Sequence, residues 1–285
     1  MQRFARTDDL DAAGCTIEER EEYEPHLAAG QVVYAGVDYA RVLRLAEREA
    51  DVIVWDGGNN DLPFFAPDLE IVLADPQRAG HERTYHPGEA NLLRAGAVVL
   101  TKLDTAAAAD VERLRASVRR ANPHAVILEA AMPATADAPQ RIAGARVLVI
   151  EDGPTLTHGG MSSGAGAIVA RRCGAAALVD PRPFAAGSLK AVFDAHPHLG
   201  PVLPAMGYGE AQTEALAATI AATPCDAVVI ASPVDLRRLI AIAQPVVRVT
   251  YAFAELGPPR LPDLLAPIIE RARRGAEGAN RPGGG

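Results

Sequence analysis

Short apolar runs alternate along this chain with longer stretches whose apolar residues recur at helical spacing. In the N-terminal half, Val42, Leu43, Leu45 and Ala46 predict a helix within residues 37–50. Val52-Ile53-Val54-Trp55 then predicts a short strand that stops at Asp56. Residues 69–73, 98–100 and 126–128 predict further strands, with a helix over residues 106–120 between the last two. The pattern restarts at Arg146-Val147-Leu148-Val149-Ile150. Beyond it, residues 165–173, 188–195 and 210–222 predict helices, and residues 177–179, 201–204, 227–230 and 246–249 predict strands. Brief strands of this kind, apolar throughout and separated by helices, belong to parallel sheets covered on both faces. The predicted fold class is α/β, with two doubly wound, mainly parallel-sheet units. Residues 134–145, which contain Pro139 and Gly144, set the boundary. The expected domains are therefore residues 1–140 and residues 146–272. The Gly-rich residues 275–285 are expected to be a disordered tail.

Composition narrows the function. A formal net charge of -8 leaves no general basic face, which argues against nucleic acid as a partner. Cys15, Cys173 and Cys225 are widely spaced and form no paired motif, so neither a zinc site nor a disulfide framework is implied. No apolar run approaches the length of a membrane span and no signal peptide is visible, so a soluble cytoplasmic protein is expected.

Ligands of open parallel sheets bind beyond the carboxyl ends of the strands, and the unusual residues gather there. Thr101-Lys102-Leu103-Asp104 follows the strand at 98–100. A strand ending in Thr-Lys-x-Asp suits a purine base: the Asp104 carboxylate can accept from the ring N–H and exocyclic amine of guanine, with the Lys102 stem along the base. Asp56, followed by Gly57 and Gly58, has the form of a strand-end acid that holds Mg²⁺ beside a triphosphate; an ordinary Asp-Gly turn is the plainer alternative. Arg78 and His81 offer an anion contact or an ordinary polar loop. The richest segment runs from Glu151 to Gly166, joins a strand to a helix, and contains five glycines. Its backbone N–H groups, at Gly159, Gly160, Gly164 and Gly166 among others, suit a phosphate, with Thr155, Thr157 and His158 as further donors and Asp152 for a metal or a substrate hydroxyl. Arg182 in Asp180-Pro181-Arg182-Pro183 is a candidate phosphate fork. The run Glu18-Glu19-Arg20-Glu21-Glu22 reads as a solvated helix face.

Four stretches together carry a resemblance: residues 15–26, Val54-Trp55-Asp56-Gly57-Gly58-Asn59-Asn60-Asp61, residues 151–161, and Pro204-Ala205-Met206-Gly207-Tyr208-Gly209. The chain resembles a predicted GTPase family related to cyclic 2,3-diphosphoglycerate synthetase. The resemblance implies a P-loop nucleotide-binding domain and a second α/β domain. It also implies GTP or ATP with Mg²⁺, and a reaction that couples triphosphate cleavage to a phosphate bond in a small phosphorylated metabolite. In that reading Asp56, Asp152 and His158 are catalytic, and Thr101, Lys102, Asp104, Gly57 and Gly58 bind the nucleotide. A regulatory or metallochaperone-like GTPase, and a non-catalytic remnant that binds a phosphometabolite, are the alternatives. Family members carry a phosphate-binding loop upstream of the stretch that Gln2-Arg3-Phe4-Ala5 resembles. This chain is therefore expected to be the later part of that architecture, nearly inactive alone. Its unpaired strand edges are expected to drive self-association as a homo-oligomer.

Overall fold

The computed structural model describes residues 1–58, 61–158, 160–206 and 209–279. Its strands are β1 (Gln2–Phe4), β2 (Val33–Ala35), β3 (Ile71–Ala74), β4 (Ala97–Leu100), β5 (Val126–Ala131), β6 (Ala134–Ala136), β7 (Arg146–Asp152), β8 (Ala177–Leu178), β9 (Leu203–Ala205), β10 (Ala227–Ala231), β11 (Val246–Tyr251) and β12 (Ala254–Glu255). The α/β class and the doubly wound parallel sheets are as the apolar pattern implies.

The chain forms two compact units, each assembled from separated segments. The first comprises Met1, Gly36–Pro133 and Ala252–Gly285; the second comprises Gln2–Ala35 and Ala134–Tyr251. This differs from the expected division into residues 1–140 and 146–272, and the core of the first unit gives the reason. Its sheet has the order β12-β5-β4-β3, with β3, β4 and β5 parallel and β12 antiparallel to β5. Successive residues of β4 point to opposite faces. Val98 and Leu100 pack with Leu92 of the helix Gly88–Arg94 and with Leu114 and Val118 of the helix Ala108–Ala121. Ala97 and Val99 pack on the other face with Leu128, Ala130 and Leu261 and Leu264 of the helix Leu261–Ala279. The C-terminal helix thus closes the first sheet. It also runs past residue 275, where a disordered tail was expected to begin; residues 280–285 of that expected tail lie outside the described residues.

The predicted strand Val52-Ile53-Val54-Trp55 is not formed. The segment is irregular and Val54 is 78% exposed. A strand needs a neighbour for its backbone N–H and C=O groups, and no described ladder includes these residues. β3 pairs with β4 alone among the described residues. Leu73 stands in register with the fully buried Val99 but is itself 69% exposed.

The second unit has the sheet order β6-β11-β10-β7-β8, with β9 also beside β7. β8 pairs the start of β7 at Arg146 and Val147, and β9 pairs its end from Ile150 to Asp152. β7 and β10 are buried apolar strands at the centre of one contiguous core. β1 and β2 form an antiparallel pair, and the helix Ile17–Ala28 lies between them in sequence. Thr16 starts that helix with a reciprocal cap: the Thr16 hydroxyl accepts from the Glu19 N–H at 3.3 Å, and the Glu19 carboxylate accepts from the Thr16 N–H at 2.9 Å. Ile17 and Arg20 are buried, and Glu21 and Glu24 half-buried, on one side of the helix. The expected solvated face is therefore corrected: the helix turns a charged side into the unit, where Arg20 donates to Asp11 Oδ1 at 2.7 Å and to Cys15 O at 3.1 Å. Among the described residues no helix is long and apolar enough to cross a membrane.

Candidate functional site

In the second unit the parallel strands β7, β10 and β11 bring Glu151, Asp152, Ser232 and Tyr251 to their carboxyl ends. Glu151 is 2% exposed. Its Oε1 accepts from the Gly164 N–H at 3.0 Å and the Ala167 N–H at 2.8 Å, and its Oε2 accepts from the Gly166 N–H at 3.1 Å. The carboxylate thus occupies the positive end of the helix Ala165–Arg172. The two glycines permit it: a Cβ at Gly164 would lie 2.6 Å from Oε2, and one at Gly166 would lie 2.8 Å from both Val149 and Ala231. Burial pushes the Glu151 carboxyl above its ordinary range, and the amide donors pull it back in part. The expected phosphate role of Gly164 and Gly166 is corrected accordingly. Their N–H groups are spent on an internal anion, which would also repel a phosphate.

Asp152 leads directly into the short helix Gly153–Thr157. The Thr157 hydroxyl donates to Gly153 O at 2.9 Å and lies 3.2 Å from His158 Nδ1, and the His158 ring is exposed. Gly160, at φ +66, opens onto free space, so its residue type answers to a left-handed backbone. Gly159, the Thr155 side chain, and Gly207 and Tyr208 of the 204–209 stretch lie outside the described residues.

Glu21, expected on a solvated face, reaches this strand end from the helix Ile17–Ala28. It accepts a 2.6 Å hydrogen bond from the Ser232 hydroxyl, just beyond β10. The Tyr251 side chain is 54% exposed, yet partial desolvation of its phenol, followed by the negative charges of Asp152 and Glu21, pushes the phenol above its ordinary range. Arg182, expected as a phosphate fork, is already engaged. It donates to Asp180 at 2.8 Å and to the Leu199 carbonyl, and its guanidinium sits 5.5 Å from the Phe193 ring centre. The strand ends of the second unit therefore present carboxylates and a phenol, a set that suits a guanidinium or ammonium group better than a phosphate.

In the first unit Thr101, at the end of β4, is buried, with its N–H and hydroxyl both directed at Ala74 O at 3.0 and 3.4 Å. Lys102 has φ 56, the one positive φ outside glycine among the described residues. Its Nζ lies 2.7 Å from Asp75 Oδ2 at the end of β3. Asp104 Oδ1 accepts from the Met132 N–H at 2.9 Å, which ties the loop after β4 to the end of β5. One acceptor oxygen of Asp104 is thus held by the backbone of the first unit. Asp56, Gly57 and Gly58 are exposed and follow no strand, and the Gly58 N–H donates to Asp61 Oδ2 at 2.8 Å. The strand that would aim Asp56 at a metal is missing from its expected place. Among the described residues no group of three or more His, Cys, Asp or Glu side chains is placed to hold a metal ion.

The chain is 53% identical over 265 residues to arginine synthetase ArcE of Thermococcus kodakarensis. The match takes in 93% of this chain and 59% of the relative, so the chain spans less than two thirds of that protein's length. No protein-family model matches the chain. The relative overturns the expected kinship with a GTPase family related to cyclic 2,3-diphosphoglycerate synthetase. At this identity the related protein is named for making arginine, not for a cyclic phosphoglycerate or for cleaving GTP. The GTPase, P-loop and phosphometabolite readings fall with it.

Proposed function

We propose that this chain is part of an arginine-forming synthetase, in which a carbon–nitrogen bond of the guanidinium group is made at the expense of ATP. The identity of 53% to the Thermococcus arginine synthetase, along 93% of this chain, carries the proposal. The chemistry of the second unit supports it. Asp152 and Glu21 supply negative charge for a guanidinium or an α-ammonium group. Tyr251 supplies an aromatic face, and Ser232 holds Glu21 in place. His158, exposed beside the Thr157 hydroxyl, is the candidate group to take a proton from the attacking nitrogen.

ATP falls to the strand tips of the first unit. Lys102 carries a positive charge, paired with Asp75, on a strained backbone of the kind that clusters at ligand sites. Magnesium that arrives with a triphosphate needs only one or two protein carboxylates, and the exposed Asp56 offers one. A homo-oligomer built on the β3 edge of the first sheet, which pairs no further strand among the described residues, belongs to the same reading.

Isothermal titration calorimetry with L-arginine, alone and with ATP, tests the proposal. Saturable heat with L-arginine is expected, weakened by about tenfold in Asp152→Asn through loss of a charge-assisted contact. No heat with L-arginine under either condition would remove it.

A further inference from the structure

We propose that Glu151 is the positioning residue of the second unit's strand-end site: its carboxylate clamps the glycine-rich segment onto the start of the helix Ala165–Arg172 and so fixes where Asp152 and His158 stand. The ligand side of this inference rests on the arginine-forming reading; the clamp itself rests on geometry.

Three features carry it. First, both carboxylate oxygens are used, by three backbone N–H groups from Gly164, Gly166 and Ala167. These donors lie thirteen to sixteen residues further along the chain, so the carboxylate closes the whole segment between Asp152 and Gly164 into a loop with tied ends. Second, Glu151 is itself anchored. Its backbone is in register with Ala231 of β10 on one side and Pro204 of β9 on the other. Third, the surroundings are cut to the clamp's shape: neither Gly164 nor Gly166 has room for a methyl group without displacing the carboxylate or the neighbouring strands. A glycine-rich segment between a strand and a helix ordinarily leaves its amides open to an external anion. Here the anion is built in, and its effect is mechanical. Asp152 follows Glu151 directly, and His158 rides on the tied loop.

The test uses the full chain with L-arginine as the probe. Glu151→Gln keeps the side-chain volume but has one acceptor oxygen for three donors. Amide hydrogen exchange at Gly164, Gly166 and Ala167 should quicken by about tenfold or more, as loss of a charge-assisted hydrogen bond implies. Affinity for L-arginine should fall by about tenfold as well. Glu151→Asp, which keeps the charge on a shorter stem, should recover part of both. Gly164→Ala, which leaves Glu151 intact but crowds its carboxylate, should reproduce the exchange phenotype and guards against misfolding of the Gln variant. Wild-type exchange at all three amides in Glu151→Gln overturns the clamp. Faster exchange with unchanged L-arginine affinity overturns the positioning role and leaves only a helix cap. If the wild type itself binds no L-arginine, the arginine-forming reading fails, and the exchange comparison still decides whether Glu151 holds the loop.

Discussion

The Lys102 ammonium and the Asp75 carboxylate, 2.7 Å apart, join the tips of two parallel strands in the first unit. The pair is partly exposed, so its own contribution to stability is small, at most about 1 kcal/mol. Holding a lysine at φ 56 costs about as much or more, ~1–3 kcal/mol. The position is therefore kept at a net loss by any account limited to folding. Lys102→Gly should raise the unfolding temperature slightly and at the same time weaken ATP binding by about tenfold. Thermal denaturation and ATP titration on the same preparation separate the two effects. A glycine variant that binds ATP as tightly as the parent removes Lys102 from the nucleotide site.

The Tyr251 phenol reports on its acidic neighbours. Its pKa is raised, and Asp152 and Glu21 are among the causes. Removing either negative charge should lower it. Spectrophotometric titration of the tyrosines in Glu21→Gln and Asp152→Asn should show one phenol ionising at lower pH than in the parent. An unchanged titration curve would mean that these carboxylates do not face the ring.

Glu151 gives a pH signature of its own. Burial raises its folded-state pKa above the unfolded value. Its stability contribution is then fully present below the unfolded pKa, about 4.3 for glutamate, and is lost as pH rises through the folded value. The parent should lose stability relative to Glu151→Gln between acidic and neutral pH. Urea denaturation of both proteins at several pH values measures the difference, and a difference that grows in the parent's favour with pH contradicts the assignment.

Among the described residues β3 has a strand neighbour on one side only, and its Leu73 side chain is 69% exposed, an arrangement that invites pairing with another strand. Leu73→Lys should reduce self-association in sedimentation velocity with little cost in stability, because the side chain is mostly exposed already. Association that persists unchanged places the contact elsewhere.

The strands were legible where burial makes the sequence monotonous. Ala97-Val98-Val99-Leu100 and Val147-Leu148-Val149-Ile150 admit no solvent on either face and read as strands without help. Val52-Ile53-Val54-Trp55 has the same composition but no neighbour to pair with, and composition does not encode a neighbour. The domain boundary was legible only near residue 134, because the helix that covers Ala97 and Val99 comes from the far end of the chain. At the site, Asp152 and His158 stood out as polar residues in a glycine-rich loop. Glu21 did not, since a glutamate among glutamates looks solvated until Ser232 is brought to it. Glu151 was in view but its role was not. The clue was the pair of glycines at 164 and 166, whose lack of side chains answers to a carboxylate thirteen and fifteen residues earlier.

The helix Leu261–Ala279 is synthesised only after all of the second unit's strands. On the ribosome, β3, β4 and β5 therefore emerge with one face bare, and they stay so while more than a hundred further residues are added. A nascent chain in that condition is a natural client for chaperones, and a nick within residues 256–260, between β12 and the helix, would sever the cover from the first sheet while leaving every strand of that sheet intact.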